Sequence, residues 1–98
     1  MLAHHVFFWL KPEITKQQKE DFRKGLESLK GVETAQQIHV GVPAPISRAV
    51  VDTSYSFSLL VFFNDLAGHD VYQSHPVHKA FLENFKTWWD KVIIYDAE

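Results

Sequence analysis

A chain of 98 residues, 46% hydrophobic and 14% aromatic, has apolar mass for one packed domain spanning 1–98 and no length for a second. Its formal net charge of −2 provides no basic stripe for a phosphate backbone, so no nucleic-acid partner is expected. The lack of cysteine excludes disulfides, thiolate metal sites and a cysteine nucleophile.

No apolar run approaches the roughly 20 residues of a membrane helix. The start, Met1-Leu2-Ala3-His4-His5, lacks the basic residues and cleavage site of a signal peptide. A soluble, cytoplasmic protein without a membrane partner is expected.

Residues 3–10 read as a strand, because Val6, Phe7, Phe8, Trp9 and Leu10 are β-branched, aromatic or aliphatic. Lys11-Pro12-Glu13 stops it. Thr15 then reads as a helix N-cap, with Gln18 completing a capping box. Phe22, Leu26 and Leu29 follow at helical spacing, and Gly31 is a natural stop. Residues 35–42 form a weaker strand, ended by Pro43 and Pro45. A loop over 43–53 leads into the strongest strand, 55–63. Asn64 or Asp65 caps a short helix to about Ser74. His75-Pro76 breaks it, since the residue before proline avoids helical geometry. Pro76 then opens a second helix, with Val77, Phe81, Phe85 and Trp88 on one side. Residues 92–95 close the chain as a last strand.

The order β-α-β-β-α-β predicts an α+β, ferredoxin-like protomer: a four-stranded antiparallel sheet with two helices on one face. Its first and third strands lie in the middle. Such a sheet should alternate apolar and polar residues. Here it does not. His5, Phe7 and Trp9 point one way while Val6, Phe8 and Leu10 point the other, and the 55–63 strand is apolar on both sides as well. Two helices cover one face only. Burying ~600 Å² of the other gains on the order of 15 kcal/mol before association costs. The economical solution is a homodimer, with a second copy of the sheet stacked on the first. The alternative is that loop 43–53 folds over the sheet.

Six histidines is a high count, and histidine is the side chain best suited to proton transfer near neutral pH. The segment Tyr72-Gln73-Ser74-His75-Pro76-Val77-His78 places Tyr72 at the end of one helix and His78 in the first turn of the next. Positive potential at a helix N-terminus favours a neutral His78 imidazole, able to accept a proton. Tyr72 can orient a carbonyl or an oxyanion. No set of carboxylates follows the histidines at ligand spacing, so no metal site and no cofactor are expected. His39 and His69 are expected at the surface, and Trp88-Trp89 in the core and at the dimer rim.

An N-terminal His-Val-aromatic strand ending in Leu10-Lys11-Pro12, the Tyr72-x-x-His75-Pro76-x-His78 segment and the closing run from Trp89 to Asp96 resemble the stress-responsive dimeric α/β-barrel (Dabb) family. The resemblance spans nearly the whole chain. It implies protomers paired sheet to sheet into an α/β barrel. One branch of that family holds a plant polyketide cyclase that works without a cofactor. By resemblance to it, His78 would be the general base, Tyr72 would hold the thioester end of a substrate, and His5 would line the pocket. His75 belongs with the ligand-binding candidates. The face that carries His5 also carries Phe7 and Trp9, with Phe57 on a neighbouring strand. These bulky groups, pointing at the helices, would shrink the space for a long acyl chain.

The first reading is therefore a Dabb homodimer of unestablished biochemistry that binds a small hydrophobic ligand. The second is a cofactor-independent cyclase, isomerase or lyase acting on an enolisable carbonyl compound. The sequence leaves open whether the protein is an enzyme. A haem-linked or monooxygenase-like reading ranks last, because no haem or flavin motif is readable.

Overall fold

The computed structural model describes residues 1–98. Local chemistry sets the first half of the chain. Strand β1 (Leu2–Leu10) is followed by helix α1 (Lys16–Ser28), where Thr15 Oγ1 accepts from the Gln18 amide at 3.1 Å and Gln18 Oε1 accepts from the Thr15 amide at 2.8 Å. Both bonds of the expected capping box are present. A single 3₁₀ turn (Leu29–Gly31) then leads to strand β2 (Gln37–Gly41). Phe22, Leu26 and Leu29 are fully buried, as their spacing predicts.

Strand β3 (Phe57–Phe63) precedes helix α2 (Leu66–Ser74), capped by Asp65 Oδ1 accepting from the Gly68 amide at 2.9 Å. His75 stands between α2 and helix α3 (Pro76–Phe85) with φ −65° and ψ 139°, the extended geometry that a following proline imposes. A second 3₁₀ turn (Lys86–Trp88) ends the helical layer, and strand β4 (Trp89–Ala97) closes the chain. Strand β4 is nine residues long where four were expected, and Trp88 leaves the helix for the turn. Strands β2 and β3 are each shorter than expected, at Gln37–Gly41 and Phe57–Phe63.

The four strands form one antiparallel sheet in the order β2-β3-β1-β4, with β3 and β1 central. Leu2, Val6 and Phe8 of β1 and Phe57, Leu59, Val61 and Phe63 of β3 face the helices and are buried. The opposite face carries His5, Phe7 and Trp9, Leu60 and Phe62, and Ile93 and Tyr95. The two residues after the expected loop, Ser54 and Tyr55, lie over this face, and of the loop itself Asp52 adjoins them. Ser54 Oγ accepts from Trp9 Nε1 at 3.0 Å, and Tyr55 packs edge-on against Phe7 at 5.0 Å. That covers one corner. Tyr95 remains 65% exposed.

Gly25 sets the approach of α1 to α3. A Cβ there would lie 2.4 Å from Cε2 and 2.9 Å from Cζ of Phe85. Alanine normally improves a helix by about 1 kcal/mol over glycine. In Gly25→Ala the displaced ring outweighs that gain, and a net loss of ~1–2 kcal/mol is expected as a lower urea midpoint.

Candidate active site between helices and sheet

The break at His75-Pro76 assembles the site. It ends α2 just after Tyr72 and restarts the helix just before His78, so the two rings meet with centroids 4.6 Å apart and planes at 50°. Tyr72 is 1% exposed. Together they floor a cavity of about 170 Å³. Its walls are apolar: Val6 and Phe8 from β1, Phe81 from α3, and Val92 and Ile94 from β4. Val92 and Ile94 lie on the helix side of the sheet, in register with Phe8 and Val6, yet are 39% and 49% exposed. Phe81 of α3 covers the start of this edge strand at Trp89, but Val92 and Ile94 beyond it leave that part of the wall open to solvent.

Nδ1 of His78 is buried and has no hydrogen-bond partner. Leaving such an atom unpaired costs about 1–3 kcal/mol. Burial pushes the His78 pKa below its usual value; the Gln73 backbone opposes this, and His4 and His69 add to it. His78 is thus a neutral imidazole near pH 7, able to take up a proton. Burial raises the Tyr72 hydroxyl well above the ordinary tyrosine range, so it stays protonated and acts as a donor.

His4 forms the third polar element. It is 3% exposed, its ring lies 5.9 Å from Tyr72 and 4.9 Å from His69, and its Nδ1 is 2.5 Å from Asp96 Oδ1. Burial lowers its pKa and the hydrogen bond to Asp96 opposes that shift.

Several expectations change. His5, Phe7 and Trp9 do not share the cavity with Tyr72 and His78; they stand on the opposite face of the sheet, where His5 packs on Phe7 at 4.2 Å. The strand positions facing the helices are one residue over, and His4 occupies the place expected of His5. The physical reason lies in the pairing: His5 lies opposite Leu60 while Phe8 lies opposite Phe57, so His5 and Phe57 cannot share a face. Phe57 does face the helices, but under α1, against Phe22 at 5.4 Å and Arg23 at 5.6 Å, away from the cavity. His75 caps α3, its Nδ1 accepting from the Val77 amide at 3.1 Å, and its Nε2 lies 3.2 Å from Glu33 Oε2. His39 is exposed as expected, whereas His69 has a side chain only 17% exposed, tucked against His4 and Phe63. Sequence reasoning missed His4, His69 and Asp96 as a group. Longer pairing of the last strand would have brought Asp96 opposite His4.

The fold and this pocket define a ferredoxin-like α+β protein with a small apolar cavity between helices and sheet and a Tyr-His pair at its floor. The family model for the Stress responsive A/B Barrel Domain (Dabb) matches residues 2–98, and the chain belongs to that family. It is 27% identical over 96 residues to olivetolic acid cyclase of Cannabis sativa, covering 97% of this chain and 93% of that protein. A dimeric ferredoxin-like protein of unknown function from Thermobifida fusca superposes with a TM-score of 0.82 at 18% identity, over 98% of this chain and 88% of the other. Hydroxynitrile lyase from Passiflora edulis also gives a TM-score of 0.82, at 16% identity, over 98% and 90%. No helix of the chain is long and apolar enough to cross a membrane.

Proposed function

We propose that the protein is a cytoplasmic homodimer of stacked sheets, each protomer of which binds a small hydrophobic ligand carrying one polar group between its helices and its sheet. The observation that carries the ligand is an apolar cavity of about 170 Å³ whose lining includes Tyr72 and His78. Cavities of about 150 Å³ accommodate benzene, so the ligand is of single-ring size. A long acyl chain does not fit within the walls. The homodimer rests on the apolar open face, of which Ser54 and Tyr55 cover only one corner, and accords with the dimeric relative.

A catalytic reading rests on the same atoms. With a ketone oxygen at the Tyr72 hydroxyl, neutral His78 removes a proton from the α-carbon. The C–H electron pair becomes the enolate, the Tyr72 hydrogen bond stabilises its oxygen, and the imidazolium returns the proton. No cofactor takes part. Both readings are tested with cyclohexanone, an enolisable ketone of suitable size, by chemical-shift titration and by exchange of its α-protons in D₂O. Saturable shifts at Val6, Phe81 and Ile94 are expected, and His78→Ala should lower protein-dependent exchange by ~10²–10⁴ when compared at saturating ketone, with binding weakened but still measurable. Absence of saturable shifts removes the ligand site; binding with equal exchange in wild type and His78→Ala removes the catalytic role alone.

The same assay has a defined pH dependence. His78 has a pKa lowered by burial, facing Tyr72, His4 and His69, so its neutral form holds throughout the range above the ordinary histidine value of 6.5. Exchange should be level there and fall only as the pH drops below it. A rate that already declines between pH 8 and 7 contradicts the assignment.

A further inference from the structure

We propose that His4, His69 and Asp96 form a binding site for one divalent transition-metal ion of the zinc type, on the side of the cavity wall to which His4 belongs. The three residues come from β1, α2 and β4, and their donor atoms all lie within 4.8 Å of one another. Such convergence from three elements is set by the tertiary fold and not by local sequence.

The surroundings argue for a built site. His4 occupies a core position on the helix side of a central strand, between the buried Leu2 and Val6. An apolar side chain there would serve packing better than an imidazole that must be desolvated. Its ring is instead held by Phe63 at 6.1 Å and Tyr72 at 5.9 Å, and turned toward His69 at 4.9 Å. The side chains of His4, His69 and Asp96 are 4%, 17% and 43% exposed, which gives a fixed inner wall and an open side for entry.

The spacing is close to what an ion requires. Zinc bonds of about 2.0–2.2 Å in a tetrahedral shell place donors roughly 3.3–3.5 Å apart. The 2.5 Å contact between His4 and Asp96 must open to that spacing, and Asp96, near the end of an edge strand, has room to move. Two imidazoles and one carboxylate select borderline transition ions over calcium and magnesium, which take all-oxygen shells. Three protein donors leave a fourth position for water.

The test uses the full chain, stripped with chelator and titrated with Zn(II) by calorimetry and with Co(II) by absorption. One ion per chain is expected, with a Co(II) spectrum of tetrahedral intensity. His69→Ala and Asp96→Asn should each weaken binding roughly a hundredfold or more, as loss of one of three donors does, whereas His39→Ala and His75→Ala leave it unchanged. Far-UV circular dichroism confirms that each variant is folded. No saturable binding by wild type, or binding that survives both His69→Ala and Asp96→Asn, overturns the proposal. His4 lines the cavity but His69 and Asp96 do not, so cyclohexanone binding by the metal-free His69→Ala and Asp96→Asn variants reads the cavity separately.

Discussion

Replacing Phe7 with aspartate is expected to leave a folded monomer where the wild type sediments as a dimer at micromolar concentration. Phe7 lies on the open face of a central strand, ringed by His5 at 4.2 Å, Tyr55 at 5.0 Å and Tyr95 at 6.3 Å. It is half-buried in the isolated chain and contributes nothing to the core beneath the helices. A carboxylate there is well hydrated in a monomer. In a face-to-face pair it is desolvated without a partner, at a penalty of several kcal/mol, and twofold symmetry imposes the penalty twice. Each 1.4 kcal/mol is a factor of ten, so the dissociation constant should rise by about 10³ or more. Phe7→Leu keeps the apolar contact and should stay dimeric. Sedimentation velocity decides the matter: a dimeric Phe7→Asp, or a monomeric wild type, removes the stacked-sheet assembly.

The same apolar face explains what could and could not be read from the sequence. Element order, the Thr15-Gln18 cap and the helix break at His75-Pro76 were legible because each rests on local chemistry: a hydroxyl, an amide, a proline ring. The juxtaposition of Tyr72 and His78 followed from that break. Which face of β1 meets the helices was not legible. Period-two alternation identifies the inner face only when the outer one is polar, and here Val6 and Phe8 compete with Phe7 and Trp9 on nearly equal terms. His5 was assigned to the pocket by resemblance alone, and the alternation of β1 offered nothing to correct it to His4. Asp96 was missed because β4 was read as ending at Tyr95, and without it the His4 pairing has no partner. His69 sits three residues before Tyr72 on α2, which puts both on one side of the helix. That spacing was a usable signal, but a lone histidine on a short amphipathic helix reads as surface.

Phe22→Ala should be the most destabilising single substitution of the helical layer and should also change the cavity. Phe22 is fully buried and packs against Phe8, Phe57, Phe81, Phe85 and Trp89, with centroids 5.2–6.2 Å away. Loss of a buried phenylalanine costs about 3–5 kcal/mol, through lost transfer energy and the void left behind. For a domain of this size each 1 kcal/mol shifts the melting temperature by about 4–8 °C, so a fall of roughly 15–30 °C is expected by calorimetry. Three of these neighbours, Phe8, Phe81 and Trp89, also form cavity walls. Their support comes from behind, and removing it lets them retreat into the void and enlarge the ligand space. Phe22→Ala should therefore accept a larger ketone such as acetophenone more readily than the wild type does, despite its lower stability. Ligand added at a hundred times its dissociation constant should return about 2.7 kcal/mol of the loss. A variant that melts within a few degrees of wild type would mean that Phe22 is not the hub of this core. A variant that melts low yet binds acetophenone no better than wild type would mean that the walls stand without it.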